Sequence, residues 1–380
     1  MGSSKRNPFA GLPVALVHDM MEKSGEIADT LYGTIGDISK NRDDLRRQLL
    51  ENGIVQNNPP AAETDIPSSC GIGWRSSVDK LPGACLSWCA AFAVEGLIPP
   101  SGARHWDAPL YQTMFHAEKE QPGTADLVKA VGMEMAVELA AGAPQAVVFF
   151  NGSFMTALVS VMETLKTALE LKESPAGREY LTRLKSSIAA FQTIVTVQNG
   201  DRVRAGVAGD SSGREVCARL QLPDHYNDTL LCTLLLSPGE YTAPLEADTA
   251  ILSRIADLPI RDEKFAAVRD GLVKAMSGLR VVYYRPFAWT PALRFEVQQS
   301  VAGDSAQMAR LLCGVRFQSS NPGIHEPYPL YRAESMAKSI RDAMPSFRSS
   351  VVARMTCEHS DDIGDLFSLI LDKKYIDGRL

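Results

Sequence analysis

The chain has 380 residues, a formal net charge of −6, 45% hydrophobic and 22% charged residues. That length can bury a large core as one large or two moderate domains, and the composition is that of a folded globular protein. The acidic balance excludes a bulk polycation that coats nucleic acid, while leaving room for a local basic groove.

No apolar run is long enough to span a bilayer and the opening residues lack an apolar signal core, so a cytoplasmic protein with no membrane association is expected. The seven cysteines contain no CxxC pair, which argues against structural zinc and against a disulfide framework.

In chain order, Ala15 to Leu50 has the apolar spacing of a helix, with Leu16, Met20, Ile27, Leu31, Ile35, Ile38, Leu45 and Leu49 recurring at roughly helical intervals. It is expected to be a packing or dimerisation arm. A polar, proline-containing loop from Gln56 to Ser69 closes this segment. Residues 1–69 are therefore expected to form an N-terminal helical arm and linker, and 70–345 the main domain.

Three strand candidates follow: Gly73 to Leu81, Ala84 to Leu97 and His105 to His116, joined by turns as an antiparallel meander. Asp79 lies near the end of the first. Thr124 is a candidate N-cap for a helix running to Ala141, in which Leu127, Val131, Glu134 and Glu138 share one face. A carboxylate aimed at a core is costly unless it is paired or binds a metal, which singles out Glu134. Gln145 to Phe154 reads as a strand buried on both faces that ends at Asn151 in a glycine turn.

Met155 to Leu171 and Arg178 to Thr193 are helical and form an insertion at about 154–198. Val203 to Ala208 is a strand running towards Asp210, and Gly213 to Leu220 a short helix. Asp228 opens another helix, as a partner for its N-terminal dipole. Arg280 to Arg285 and Leu293 to Val297, the latter with Arg294 and Glu296, are strands. A late helix from about His325 carries Glu334, and 346–380 forms a helical tail.

The predicted order is three strands with an acid on the first, a helix with an acid on its inner face, then a buried strand ending in a polar residue. It resembles the ribonuclease H-like fold: an α/β mixed sheet of antiparallel meander plus parallel strand, here with helical insertions. More narrowly, the chain resembles the NurA nuclease family. The likeness rests on Val78-Asp79, Met133-Glu134, Phe150-Asn151-Gly152-Ser153-Phe154, where the family has Asp-Gly-Ser-Leu, Leu293-Arg294-Phe295-Glu296, and Tyr328-Pro329-Leu330-Tyr331-Arg332-Ala333-Glu334. It spans roughly Gly71 to Ile340.

The resemblance implies a metal-dependent DNA nuclease acting with a HerA-type hexameric ATPase in DNA end processing or anti-phage defence, as a homodimer. Asp79, Glu134, residue 151 and Glu334 would hold two Mn²⁺ or Mg²⁺ ions that clamp the attacking water and the leaving oxygen of a phosphodiester. Asp210, Asp228, Glu296 and His325 form a second tier. Arg75, Lys80, Arg294 and Arg332 are candidate phosphate contacts, and Trp74 and Tyr331 candidate stacking groups.

Asn151 departs from the family pattern, because an amide brings no negative charge to a site that gathers two dications. The expectation is that an aspartate has been replaced there, since Asp79, Glu134 and Glu334 remain. The alternative is an inactive NurA-like adaptor that docks on and regulates the ATPase. A third reading, an unrelated α/β protein, predicts that Asp79, Glu134 and Asn151 do not converge. No P-loop and no GxSxG elbow is present, so neither ATP hydrolysis nor serine-nucleophile chemistry is indicated.

Overall fold

The computed structural model describes residues 9–57, 66–81, 84–100, 102–196, 202–209, 213–224, 226–256, 258 and 263–358. In chain order the elements are α1 (Val14–Lys40), α2 (Arg42–Glu51), β1 (Val55–Asn57), β2 (Ser69–Leu81), β3 (Ala84–Glu95), β4 (Leu110–Glu118), α3 (Thr124–Gly142) and β5 (Val147–Asn151). Then come α4 (Phe154–Glu170), α5 (Pro175–Thr196), β6 (Val203–Ala208), α6 (Glu215–Arg219), α7 (Asp228–Leu235), β7 (Glu240–Thr242) and β8 (Leu245–Glu246). The chain continues through α8 (Ser253–Ala256), α9 (Glu263–Ser277), β9 (Arg280–Tyr284), β10 (Leu293–Val297), α10 (Gln299–Ala302), α11 (Ser305–Gln318) and α12 (Tyr328–Glu358).

These residues form two compact units: Met1–Gln48 with Ser349–Leu380, and Leu49–Arg348. In the first, the long helix expected from Ala15 is interrupted at Asn41, whose carbonyl accepts from Leu45 N at 2.9 Å and so starts α2 afresh. Along α1, Leu16, Met20, Ile27 and Leu31 are exposed. No helix among the described residues is long and apolar enough to cross a membrane.

The second unit is built on one mixed sheet in the order β4-β3-β2-β5-β6-β10-β9-β7-β1, with β8 also on β9. β2, β3 and β4 form the expected antiparallel meander, and β5 and β6 run parallel to β2. The apolar runs of β5 and β6 are covered on both faces, as parallel strands with crossover helices require. Side chains alternate across a strand, so β2 has two distinct faces. Trp74 lies on the face covered by α3, because a Cβ placed on Gly132 of α3 would stand 3.0 Å from its ring and 3.3 Å from Cys89. Gly71 and Gly73 lie on the opposite face, against the backbone of α12.

Behind β5, on the α12 face, the core joins Phe149, Val207, Phe295 and Tyr284 to Leu311 and Val315 of α11 and Leu330 of α12. Thr124 does not cap α3. Gly123 takes the N-cap position at φ 88°, which glycine adopts freely, and Thr124 opens the first turn. Cys70, Cys85, Cys89, Cys217, Cys232 and Cys313 are buried free thiols. The short strands β1, β7 and β8 and the helices α9 and α11 had no counterpart among the predicted elements.

Candidate functional site

β5 delivers Asn151 to the end of the parallel strands. Pairing of Phe149 with Gly71 and of Phe150 with Ile72 puts Asn151 one step further on, level with Gly73. Asn151 also pairs with Val207 of β6 and shares the α12 face with it and with Phe149. At the β2 position level with Asn151, then, the chain has no side chain at all.

A side chain would not fit there. A Cβ on Gly73 would lie 2.7 Å from both the Ala333 carbonyl carbon and the Glu334 nitrogen, backbone atoms that cannot swing aside. Gly71 is closed by the backbone of Pro329 and Leu330 in the same way. The Gly-x-Gly of β2 thus lets the first turns of α12 lie directly on the strand.

Asp79 was expected to join Asn151 at a metal. It is on the α12 face, but six residues beyond Gly73, or about 20 Å at the rise of an extended strand. There it accepts from Trp88 Nε1 at 3.3 Å, and Ser77 Oγ lies 3.5 Å away. Trp88 in turn packs with Met344 of α12.

Glu134 was expected at the same centre and lies on the other side of the sheet, between α3 and α5. Ser187 Oγ donates to its Oε1 at 3.1 Å, and its Oε2 is buried without a partner. Burial holds its carboxyl well above the usual carboxylate range, opposed by the Ser187 hydrogen bond.

Glu334 lies in the second turn of α12, on the same face of the sheet as Asn151, with its backbone nitrogen against Gly73. It is engaged by cations rather than free for one: Arg75 of β2 donates to it, and Lys338 Nζ lies 3.3 Å away. Nearby Glu326 is pushed above its ordinary value by burial and then by the charge of Glu334.

The other predicted residues have structural partners. Asp228 is fully buried and accepts from Val216 N and Cys217 N at 2.7 and 2.8 Å, capping α6 rather than its own helix. Glu296 accepts from Phe154 N at 2.9 Å, at the start of α4, and from Arg294 at 2.7 Å. Arg294, expected at a phosphate, is buried between Glu296 and Glu215, the latter also 2.7 Å away. Lys80 pairs with Glu120 at 2.6 Å in solvent. His325 is exposed, with Nδ1 2.9 Å from the Trp289 carbonyl, Arg332 is exposed, and Asp210 lies outside the described residues.

The expected four-residue cluster is therefore corrected: the sheet separates Asp79, Asn151 and Glu334 from Glu134, and strand length separates Asp79 from Asn151. Among the described residues, one group of three His, Cys, Asp or Glu side chains brings its ligand atoms within 4.8 Å of one another. It is His18, Asp19 and Glu22, exposed on α1. The described residues around Asn151 do not bring together the several anionic oxygens that a pair of divalent ions needs. Sequence reasoning missed Gly71 and Gly73. Glycines at alternate positions of an apolar strand, which signal close backbone approach, were the available clue.

An antiparallel meander continued by parallel strands in one sheet, with helices on both faces, is a ribonuclease H-like α/β fold. More narrowly, it is the fold of the NurA nucleases. The NurA nuclease from Sulfolobus solfataricus matches with a TM-score of 0.55 and 13% identity, over 87% of this chain and 97% of that one. A structure of NurA with manganese matches with a TM-score of 0.53 and 11% identity, over 88% and 98%. A further NurA structure gives 0.51 and 11%, over 82% and 93%. No family model and no curated protein sequence matches the chain.

Proposed function

We propose that this chain is a NurA-fold protein that does not hydrolyse DNA at this sheet and serves as a structural adaptor. It docks on a HerA-like hexameric ATPase as a homodimer, with the exposed apolar positions of α1 available for assembly, and holds DNA without cutting it. The observation that carries the reading is the pairing at the end of β5. Asn151 stands level with Gly73, α12 fills the space beside that glycine, and Glu334, whose backbone nitrogen closes that space, is already paired with Arg75 and Lys338. The ATPase and the dimer rest on the family resemblance.

A second reading has one observation in its favour, that Asn151 and Glu334 share a face. It is a metal-dependent nuclease whose native residue 151 is an aspartate, needing Mn²⁺ or Mg²⁺.

The test is degradation of linear DNA by the chain and by Asn151→Asp, with Mn²⁺ or Mg²⁺, each with and without the cognate ATPase. The adaptor reading expects neither protein to cut while the complex assembles. Metal-dependent cutting by the variant alone would overturn it in favour of the disabled nuclease.

A further inference from the structure

Between β9 and β10 the chain runs Arg285-Pro286-Phe287-Ala288-Trp289-Thr290-Pro291-Ala292. The rings of Phe287 and Trp289 lie nearly parallel, 6° apart with centroids 4.6 Å from each other. The guanidinium carbon of Arg316, from α11, sits 5.5 Å from the centroid of Phe287. Trp289 is nevertheless 41% exposed.

The loop is pinned by polar contacts. Thr290 Oγ1 accepts from Phe287 N at 3.1 Å and donates to Phe287 O at 2.9 Å. Arg285 donates to the Leu236 and Ala288 carbonyls at 2.8 and 3.1 Å, and His325 Nδ1 holds the Trp289 carbonyl. A large flat ring held in place and left in water has already lost much of the freedom that binding would otherwise cost it.

We infer that the Phe287–Trp289 stack is a platform for an unpaired base of single-stranded nucleic acid. A layered guanidinium, phenyl and indole continues naturally with another flat ring. A base in a duplex has both faces occupied, so the free indole selects an unpaired one. Arg316, exposed, supplies a cation for the backbone phosphates, and the exposed His325 borders the same loop. A protein-docking patch would surround the anchor with further apolar side chains. Among the described residues of this loop, Trp289 is the sole exposed large apolar side chain. This inference goes beyond the adaptor reading and does not depend on whether residue 151 restores cutting.

The experiment is fluorescence anisotropy of a labelled oligothymidylate of about 15 nucleotides, at about 50 mM salt, where the phosphate contribution is strong. Trp289→Ala is expected to weaken binding about 5- to 150-fold, and Trp289→Phe to keep most of it. An abasic strand of equal length should bind the parent protein about as weakly as the thymidylate binds Trp289→Ala. Thermal melting of each variant checks folding, and the abasic comparison uses the unmodified protein throughout. The inference is overturned if Trp289→Ala binds oligothymidylate as the parent does, or if the parent fails to prefer it over the abasic strand. It is equally overturned if the substitution spares that binding and abolishes association with the ATPase.

Discussion

The two faces of the central sheet are built on different principles. On the side of α3 and α4 the buried charges include Glu134, Arg204, Arg294 and Glu296, and the last three each have a neighbour that accounts for them. Arg204 donates to the Ala140 and Ala141 carbonyls at the end of α3, at 3.1 and 2.8 Å. Glu296 receives the Phe154 N–H at the start of α4, and Arg294 bridges Glu296 to Glu215. Cations at helix C-termini and anions at N-termini complement the helix dipole, so these charges fasten helices to the sheet.

The side of α12 works by removal of side chains. Gly71 and Gly73 admit the helix backbone, and the charges there, Arg75 and Glu334, pair at its margin. One face fixes its helices by charge and the other by shape. Among the described residues neither face brings three carboxylates within 4.8 Å of one another, and a fold does not by itself supply a site.

The largest test of this contrast is Arg294→Met. It leaves Glu215 and Glu296 buried without their cation and should cost about 3–5 kcal/mol, read as a fall in the thermal midpoint of roughly 10 °C. A change well below 1 kcal/mol would show that the charged face does not depend on this bridge.

On the other face, Gly73→Ala should cost about 1–3 kcal/mol, because α12 must move off the strand. Gly142→Ala, where a Cβ meets nothing within 4 Å, is the control and should be close to neutral. Equal effects of the two substitutions in denaturant titrations would remove the argument for close helix-to-strand packing.

The smallest effect concerns Glu134. Its pKa in the folded protein is raised above the unfolded value of 4.5, so the folded state binds more protons above that pH. Its contribution to stability is fully present below about pH 4.5 and declines as pH rises towards the raised folded value. Glu134→Gln keeps a hydrogen-bond acceptor for Ser187 and does not titrate. Thermal midpoints measured from pH 5 to 8 should fall less steeply in the variant, and parallel curves would show that Glu134 is not protonated in the fold.

The fold was legible because its signals are local. The apolar run ending in Asn151-Gly152, the meander before it and the helix between them can each be read from one stretch of chain. The site was not, because convergence depends on register and parity between stretches. Nothing in the sequence places Asn151 level with Gly73 rather than Asp79, and a difference of six positions decides the matter. Nor does the helical period of α3 reveal that Glu134 and Asp79 point to opposite sides of a sheet neither element defines alone. Arg294, a candidate phosphate contact, and Glu296, a second-tier candidate, are instead engaged by Glu215 and the start of α4, partners that the strand's own sequence does not show. The third reading foresaw that the acids would not converge, but the fold it denied is present, so the divergence lies in the site.

The buried thiols have a practical consequence. Burial pushes the thiol of Cys89 up to about 12, and raises those of Cys70 and Cys232 as well. An alkylating reagent reacts with thiolate, so at neutral pH these side chains are protected both by access and by protonation. Cys70 lies on β2 beside the glycines, Cys89 on β3 beneath α3, Cys232 on α7 and Cys313 on α11. Timed labelling of the intact protein would therefore act as a set of internal clocks. Each cysteine records how often its own part of the structure opens, and whether a strand sealed by shape breathes sooner than helices pinned by charge.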